Sequence, residues 1–164
     1  MLTDMHKDLE KGKVGEDIFE RDFLNFLGIK YINVANCQKF QVQDIDMNTD
    51  IGTYEIKANY KDDKQIIIEE FTNINENLCA ISKGWLYKSK ADLLVFVSKE
   101  TRVMVIIPFT SAFKKHYESI SGKFTLRWNK ITIDKNNGRK WQSAIRFIPL
   151  SELEGWYSFY KNIK

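Results

Sequence analysis

Hydrophobic and polar positions along the chain follow two periods, and each change of period marks a new element. Val14, Ile18, Phe19, Phe23, Phe26 and Leu27 recur at helical spacing, which predicts a first helix from about Lys7 or Lys13 to Phe26, stopped at Gly28. Tyr31–Asn36 reads as a short strand. Phe40–Met47 alternates strictly, so a strand here would put Phe40, Val42, Asp44 and Asp46 on one face and Gln41, Gln43, Ile45 and Met47 on the other. Asn48–Gly52 is a turn signal, and Thr53–Asn59 returns as a strand with Thr53, Glu55, Lys57 and Asn59 on one face. The polar turn Lys61-Asp62-Asp63-Lys64 leads into an apolar strand over Gln65–Phe71.

Beyond a polar loop containing Gly84-Trp85, strands are predicted at Asp92–Ser98 and Arg102–Pro108. A helix over Phe109–Ser119 follows, with Thr110 or Ser111 as its cap. Lys123–Ile133 alternates and bends near Asn129-Lys130. Asn136-Asn137-Gly138 is the strongest hairpin turn, Ser143–Ile148 a strand, and Ser151-Glu152-Leu153-Glu154 opens a last helix. The order implies a mixed α/β fold, with a central mixed β-sheet flanked by helices. Without an internal linker, residues 1–164 read as one domain, with a core over about 13–115 and a C-terminal extension over about 120–164.

Composition narrows the classes. Hydrophobic residues at 43% and charged residues at 29% exclude wholesale disorder. Apolar runs such as Val103–Ile107 are far shorter than the roughly 20 residues of a membrane helix. The charged N-terminus lacks the apolar core of a signal peptide, so the expected setting is cytoplasmic, without a membrane partner. Cys37 and Cys79 are isolated, which leaves neither a disulfide framework nor a zinc knuckle. His6 and His116 are single, so a nucleophile–histidine arrangement has no support.

The net charge of +3 hides an asymmetry: residues 1–98 carry a balance of −5, and residues 99–164 a balance of +8. The basic part is interleaved with Phe124, Trp128 and Trp141, a composition suited to a polyanion. An exposed lysine-rich face kept for solubility would look the same. Lys88, Lys90, Lys114, Lys115, Arg127, Lys130, Arg139 and Lys140 are the candidate phosphate contacts. Lys outnumbers Arg by 20 to 5, which argues against sequence-specific base readout by bidentate Arg.

The chemistry concentrates on two neighbouring strands. Asp44 and Asp46 from the first, and Glu55 with Lys57 from the second, project to one side if the hairpin closes around residues 48–52. Carboxylates so crowded repel one another unless a cation lies between them, and a hard divalent ion is the natural occupant. A lysine beside that site can hold or deprotonate a water, an assembly fit for phosphodiester hydrolysis. Asp62-Asp63-Lys64 repeats the acid-x-Lys spacing, but in a polar turn with no acidic strand before it. Glu16 falls on the helix stripe facing the sheet. It reads either as a further carboxylate of the site or as a first-turn charge favoured by the helix dipole. Glu69 reads either as a border of the site or, in preference, as a strand end reaching solvent; Asp92 reads as a strand start, and Trp85 as a loop anchor in preference to a base-stacking residue.

Gly15-Glu16 on the first helix, Asp44-Ile45-Asp46 and Glu55-Ile56-Lys57 together resemble the PD-(D/E)xK nuclease superfamily, which includes restriction endonucleases, Holliday-junction resolvases and many phage nucleases. The block from Ile66-Ile67-Ile68-Glu69 through Gly84-Trp85 to Ser89-Lys90-Ala91-Asp92 is similar to phage or bacterial members. The resemblance implies a restriction-endonuclease-like core, and an enzyme that hydrolyses DNA phosphodiester bonds with Mg²⁺, for which Mn²⁺ would substitute. It implies Glu55 as the central metal ligand, Ile56 contributing its carbonyl, and Lys57 orienting the attacking water. The first acid of the motif would be Asp46, nine positions before Glu55, or Asp44, eleven before it; no proline precedes either. Glu16 would match the first-helix carboxylate. A small, Arg-poor chain favours a structure-selective, junction-resolving member, for which the resemblance implies a homodimer acting on duplex or branched DNA. A restriction-type enzyme and a non-catalytic nucleic-acid-binding module are the alternatives.

Overall fold

The computed structural model describes residues 3–59, 64–74 and 81–161, leaving Cys79, the side chain of His6 and residues 61–63 of the expected polar turn outside. The chain begins with β1 (Thr3–Asp4) and α1 (Met5–Phe19). A π-helical turn, Glu20–Leu24, and a last turn α2 (Asn25–Leu27) continue α1 to Gly28, which takes the left-handed conformation at φ 69°. A wide π turn rotates every residue after it about the axis. Leu24 is therefore fully buried, while Phe26 and Leu27, expected on the core stripe, are exposed.

β2 (Tyr31–Asn33), α3 (Gln38–Gln41), β3 (Met47–Thr49) and β4 (Gly52–Asn59) follow. The strand expected over residues 40–47 is thus a short helix and a turn, and only Met47 enters a strand. The reason lies in its own alternation. Phe40 and Val42 would face one side, Ile45 and Met47 the other, so no single apolar face holds the register. Phe40 and Ile45 instead join Val34 and Ala91 in a small cluster.

The remaining elements are β5 (Gln65–Ile74), β6 (Ile81–Lys83), α4 (Trp85–Lys88), β7 (Leu93–Ser98), β8 (Val103–Pro108) and α5 (Ser111–Ser121). They are followed by β9 (Arg127–Trp128), β10 (Thr132–Ile133), β11 (Lys140–Pro149), a 3₁₀ turn at Leu150–Leu153 and β12 (Ser158–Lys161). Thr110 caps α5, accepting the Phe113 N–H at 3.2 Å. The last helix expected from Ser151 is this single 3₁₀ turn. Leu150 and Leu153 are buried, Gly155 takes φ 81°, and the chain then extends as a strand against β8.

The central sheet has the order β12-β8-β7-β4-β3-β2, mixed because β4 and β7 run parallel while its other pairs are antiparallel. Ile18, Phe19 and Leu24, from α1 and the π turn, cover one face, packing on Tyr54, Ile56, Val95 and Val97. The opposite face presents Leu94, Phe96 and Ile107 to Phe113 and Tyr117 of α5 and to Ile66, Ile68 and Ile148 of a second sheet. That second sheet, in the order β1-β10-β11-β5-β6 with β9 also on β11, is built around the long β5–β11 pair. Glu55 and Lys57 sit in register with Leu94 and Phe96 on β7, so both belong to the face turned toward the second sheet.

Candidate active site

β4 is an interior strand, and three successive residues, Tyr54, Glu55 and Ile56, are buried because both of its faces are covered. The Glu55 side chain keeps 3% of its surface and that of Lys57 32%, and the Lys57 ammonium forms an ion pair with Glu55 Oε1. Lys57 Nζ also lies 5.5 Å from the centre of the Trp85 ring. Trp85 is buried and packs against Phe96 and Phe109, as a loop anchor should.

Asp46 stands just before β3, yet it is tied to β4 twice. Its N–H donates to the Tyr54 carbonyl at 2.9 Å, and its Oδ2 accepts the Ile56 N–H at 2.7 Å. The carboxylate thus grips the backbone between Glu55 and Lys57. Asp44 lies in the preceding turn in the left-handed conformation, at φ 48°, and its carbonyl accepts the Ser89 hydroxyl at 3.0 Å. The two aspartates therefore do not share the face of one strand.

Glu16 reaches the same neighbourhood from the other side of β4. Gly15 of α1 is buried against Ala58, and Glu16 Oε2 accepts from Asn33 Nδ2 at 3.3 Å. Asn33 donates as well to Glu20 Oε1 at 2.9 Å, and Tyr31 to Glu20 Oε2 at 3.3 Å. The half-buried Glu16 is pushed above the usual carboxylate range by burial and by the Asp46 charge.

All four candidate carboxylates shift the same way. Burial, offset in part by Lys57, raises Asp44 and Asp46. Burial raises Glu55 most, to about 8, with Lys57 opposing and Asp46 adding to the rise. Burial works against the Lys57 ammonium, but Glu55 and Asp46 outweigh it and hold the amine charged. Removing acids from water without enough positive charge produces this pattern.

Two carboxylate oxygens, Glu55 Oε2 and Asp44 Oδ2, are buried with no hydrogen-bond partner among the described residues. Hard oxygen donors left unsatisfied suit a divalent cation. As positioned, however, no three His, Cys, Asp or Glu side chains among the described residues converge as a ligand set, and the Lys57 ammonium takes the other oxygen of Glu55. The donor chemistry fits a hard cation; the side chains do not close around one.

A cavity of about 170 Å³ opens beside Lys57, walled by Trp85, Phe96, Ile67, Glu69, Asn129 and Ile145. Glu69 is the residue the sequence undervalued. It lies mid-strand rather than at a strand end, accepting the Thr72 hydroxyl at 2.8 Å, the Trp85 N–H at 3.3 Å and the Ser143 hydroxyl. The Glu69-Glu70 pair looked like the end of an isoleucine run. The buried Glu70, Thr72 and Asn73 that carry the strand onward gave no apolar signal.

The candidate cations divide into groups. Lys88 and Lys90 are exposed beside the Asp44 turn, where Lys88 lowers the Asp44 pKa and the Lys90 N–H donates to the Gln43 carbonyl at 2.9 Å. Lys114 is already engaged, over the Phe109 ring at 4.3 Å and on the Ser89 carbonyl at 3.3 Å, and burial lowers its pKa. Its neighbour Lys115 is exposed on α5. Arg127 and Lys130 flank the exposed Trp128 and the cavity residue Asn129. Arg139 is exposed and Lys140 half-buried at the start of β11, opposite Ile133. None of the eight lines the Lys57 cavity.

Other expectations resolve as structural roles. Asp92 Oδ2 accepts both the N–H and the hydroxyl of Thr53, at 2.8 and 2.7 Å. His116 bonds the Glu152 carbonyl at 3.1 Å and stacks on Trp156. No helix among the described residues is long and apolar enough to cross a membrane.

No protein-family model matches the sequence, and no curated protein is similar to it. Among solved structures, that of a bacterial homing endonuclease is similar to the chain. The likeness has a TM-score of 0.47 at 15% identity and covers 65% of this chain and 72% of that one.

Proposed function

We propose that the protein is a metal-dependent DNA endonuclease of PD-(D/E)xK type, with Glu55, Lys57 and Asp46 at its centre. The observation that supports this best is the Asp46 carboxylate on the Ile56 N–H, which joins a buried glutamate, its lysine and an upstream aspartate around one residue. The orphaned oxygens of Glu55 and Asp44 add to it.

Glu55 and Asp46, with the Ile56 carbonyl, are the residues that would hold Mg²⁺ or Mn²⁺; Asp44 is the alternative donor, and Glu16 an outer one. When bound, the ion supplies a Lewis acid for the phosphoryl oxygen and makes an attacking water more acidic. Lys57 stays charged and keeps a third of its surface open, so it donates to the incoming water and to the phosphate oxygen on which charge builds. Trp85 limits the swing of the amine. The exposed Lys88, Lys90, Arg127 and Arg139 contact the backbone of the nucleic acid. Branched DNA cut symmetrically by a homodimer is the finer reading, since two nicks across a junction need two related sites.

Two observations favour a second reading, a non-catalytic nucleic-acid-binding module: the ammonium of Lys57 already sits on the central glutamate, and no three donors converge among the described residues. Cleavage of linear duplex, single strand, flap and four-way junction with Mg²⁺ or Mn²⁺, by wild type and Lys57→Ala, separates the two. Lys57-dependent cutting supports the nuclease, and paired nicks on the junction support the resolving homodimer. Salt-sensitive binding without any cutting supports the module.

A further inference from the structure

A second cavity, of about 460 Å³, is also lined by Glu69. Glu69 is a wall of both spaces, so this cavity adjoins the one at Lys57. It is lined also by Thr72, Asp134, Asn137, Arg139 and Trp141. Its rim, the β10–β11 hairpin, is held by its own hydrogen bonds. The Asp134 N–H donates to the Arg139 carbonyl at 2.8 Å, the Gly138 N–H to the Asp134 carbonyl at 2.7 Å, and the Arg139 N–H to Asn137 Oδ1 at 2.9 Å. Gly138, at φ 71°, makes that turn possible.

The lining chemistry selects among ligands. Two carboxylates, Glu69 and Asp134, disfavour a phosphate inside the cavity. Glu69 already accepts from Thr72, Trp85 and Ser143, and Asp134 from the Asn136 N–H at 2.9 Å. Beyond these bonds the two keep acceptor capacity that suits amino groups such as those on the edges of nucleobases. Trp141 offers a ring for stacking, Asn137 and Thr72 offer further polar edges, and the exposed Arg139 suits a phosphate outside. The volume lies within the range of small-ligand sites and exceeds what one base needs.

We propose that this cavity receives one unpaired nucleobase of the strand whose phosphodiester lies at Lys57. The inference rests on the nuclease reading and gives that enzyme its substrate class: nucleic acid with an extrahelical or single-stranded nucleotide beside the scissile phosphate. A fully stacked, paired base cannot enter, because the cavity must cover the base's faces and edges.

The test is binding, measured by fluorescence anisotropy without divalent ions, of a labelled duplex and of the same duplex carrying a one-base bulge. Wild type is expected to bind the bulged duplex about tenfold more tightly, the scale of one base–aromatic stack. Trp141→Leu removes that preference, Trp141→Phe keeps most of it, and all three proteins bind the paired duplex alike. Asn137→Trp, which fills the cavity from the exposed rim at the loss of the Asn137–Arg139 hydrogen bond, removes the preference as well, and a circular-dichroism melt matching wild type shows that the hairpin stays folded. Equal wild-type affinity for both duplexes, or a preference unchanged by both Trp141→Leu and Asn137→Trp, overturns the proposal. Cleavage with Mg²⁺ keeps the two readings apart. A Trp141-dependent preference without cleavage by any ion sinks the nuclease and supports the cavity. Lys57-dependent cleavage equally fast on both duplexes keeps the nuclease and sinks the cavity.

Discussion

Gly15 of α1 lies against Ala58 of β4 so closely that a Cβ on Gly15 would stand 3.1 Å from the Ala58 Cβ and 3.4 Å from its Cα. This approach lets α1 settle on the central sheet and brings Glu16 within electrostatic reach of Asp46. Gly15→Leu must push the helix off β4 and is expected to cost about 2–3 kcal/mol, read from the denaturant midpoint. Gly15→Ala is expected to stay within about 1 kcal/mol of wild type, since its crowding is offset by better helix propensity. A Leu variant as stable as wild type would mean that this contact does not set the spacing.

Stability should depend on pH through Glu55. Its folded value of about 8 stands above the ordinary 4.5, so between those values the folded state holds a proton that the unfolded state releases. The stabilisation is complete below about pH 4.5 and lost as pH rises through about 8. Lys57 is charged in both states across this window. Asp22 does not interfere: although burial opposes it, hydrogen bonds from Arg102 and Arg21 hold it below 3.8, so its contribution falls away only in stronger acid. Thermal melts from about pH 5 to 8 should show a declining Tm, and Glu55→Gln should make the slope shallower while leaving the part due to Glu16, Asp44 and Asp46, which burial raises too.

If Glu55 holds a divalent ion, as proposed, such ions should reverse that decline. An ion on Glu55 competes with its proton, so the rise in Tm given by millimolar Mg²⁺ or Mn²⁺ should grow with pH and vanish in Glu55→Gln. A rise that is the same at every pH, or that survives in Glu55→Gln, places the ion elsewhere.

On the proposed nuclease reading, Lys57→Ala should lower the single-turnover cleavage rate at least about a hundredfold while the chain stays folded, because the amine would then act where charge develops. Lys57→Arg should not restore the rate, since a planar guanidinium presents its donors as a fixed fork and not as one compact, freely rotating point charge.

A Cβ on Gly84 would stand 2.6 Å from the Glu69 carbonyl oxygen and 2.8 Å from its Cγ. Backbone cannot yield as a flexible side chain does, so Gly84→Ala should cost about 2–3 kcal/mol and move Trp85 from Lys57. Unfolding midpoints and tryptophan emission report the two effects separately. A normal midpoint with unchanged emission would show that β5 gives way freely.

At the far end of the sheet, Asp22 is almost fully buried and accepts from Arg102 Nε at 2.7 Å. Arg102→Ala leaves that carboxylate with the exposed Arg21 as its cation among the described residues and should cost about 2–3 kcal/mol, below the value for a fully buried pair because Arg102 is itself half exposed. The loss should shrink in acid, where Asp22 is protonated.

Local period alone determined a good deal of this protein. The alternation of Tyr54 to Ala58 places Glu55 and Lys57 on one face whatever surrounds them, because side-chain direction in a strand is a property of the strand. The Gly28 stop, the Thr110 cap and the turn at residues 136–138 were legible for the same reason: each is written within four residues of its effect. The tertiary structure decided which strands became neighbours, since pairing joins residues far apart and sequence patterning does not name the partner. It divided the strands into two sheets, turned the Asp44 stretch into a bend and set Asp46 on the Ile56 N–H. It also carried β5 beyond its apolar run on buried polar residues, making Glu69 a lining residue of two cavities. A carboxylate's surroundings are assembled from distant segments, so its chemistry emerges only when those segments pack.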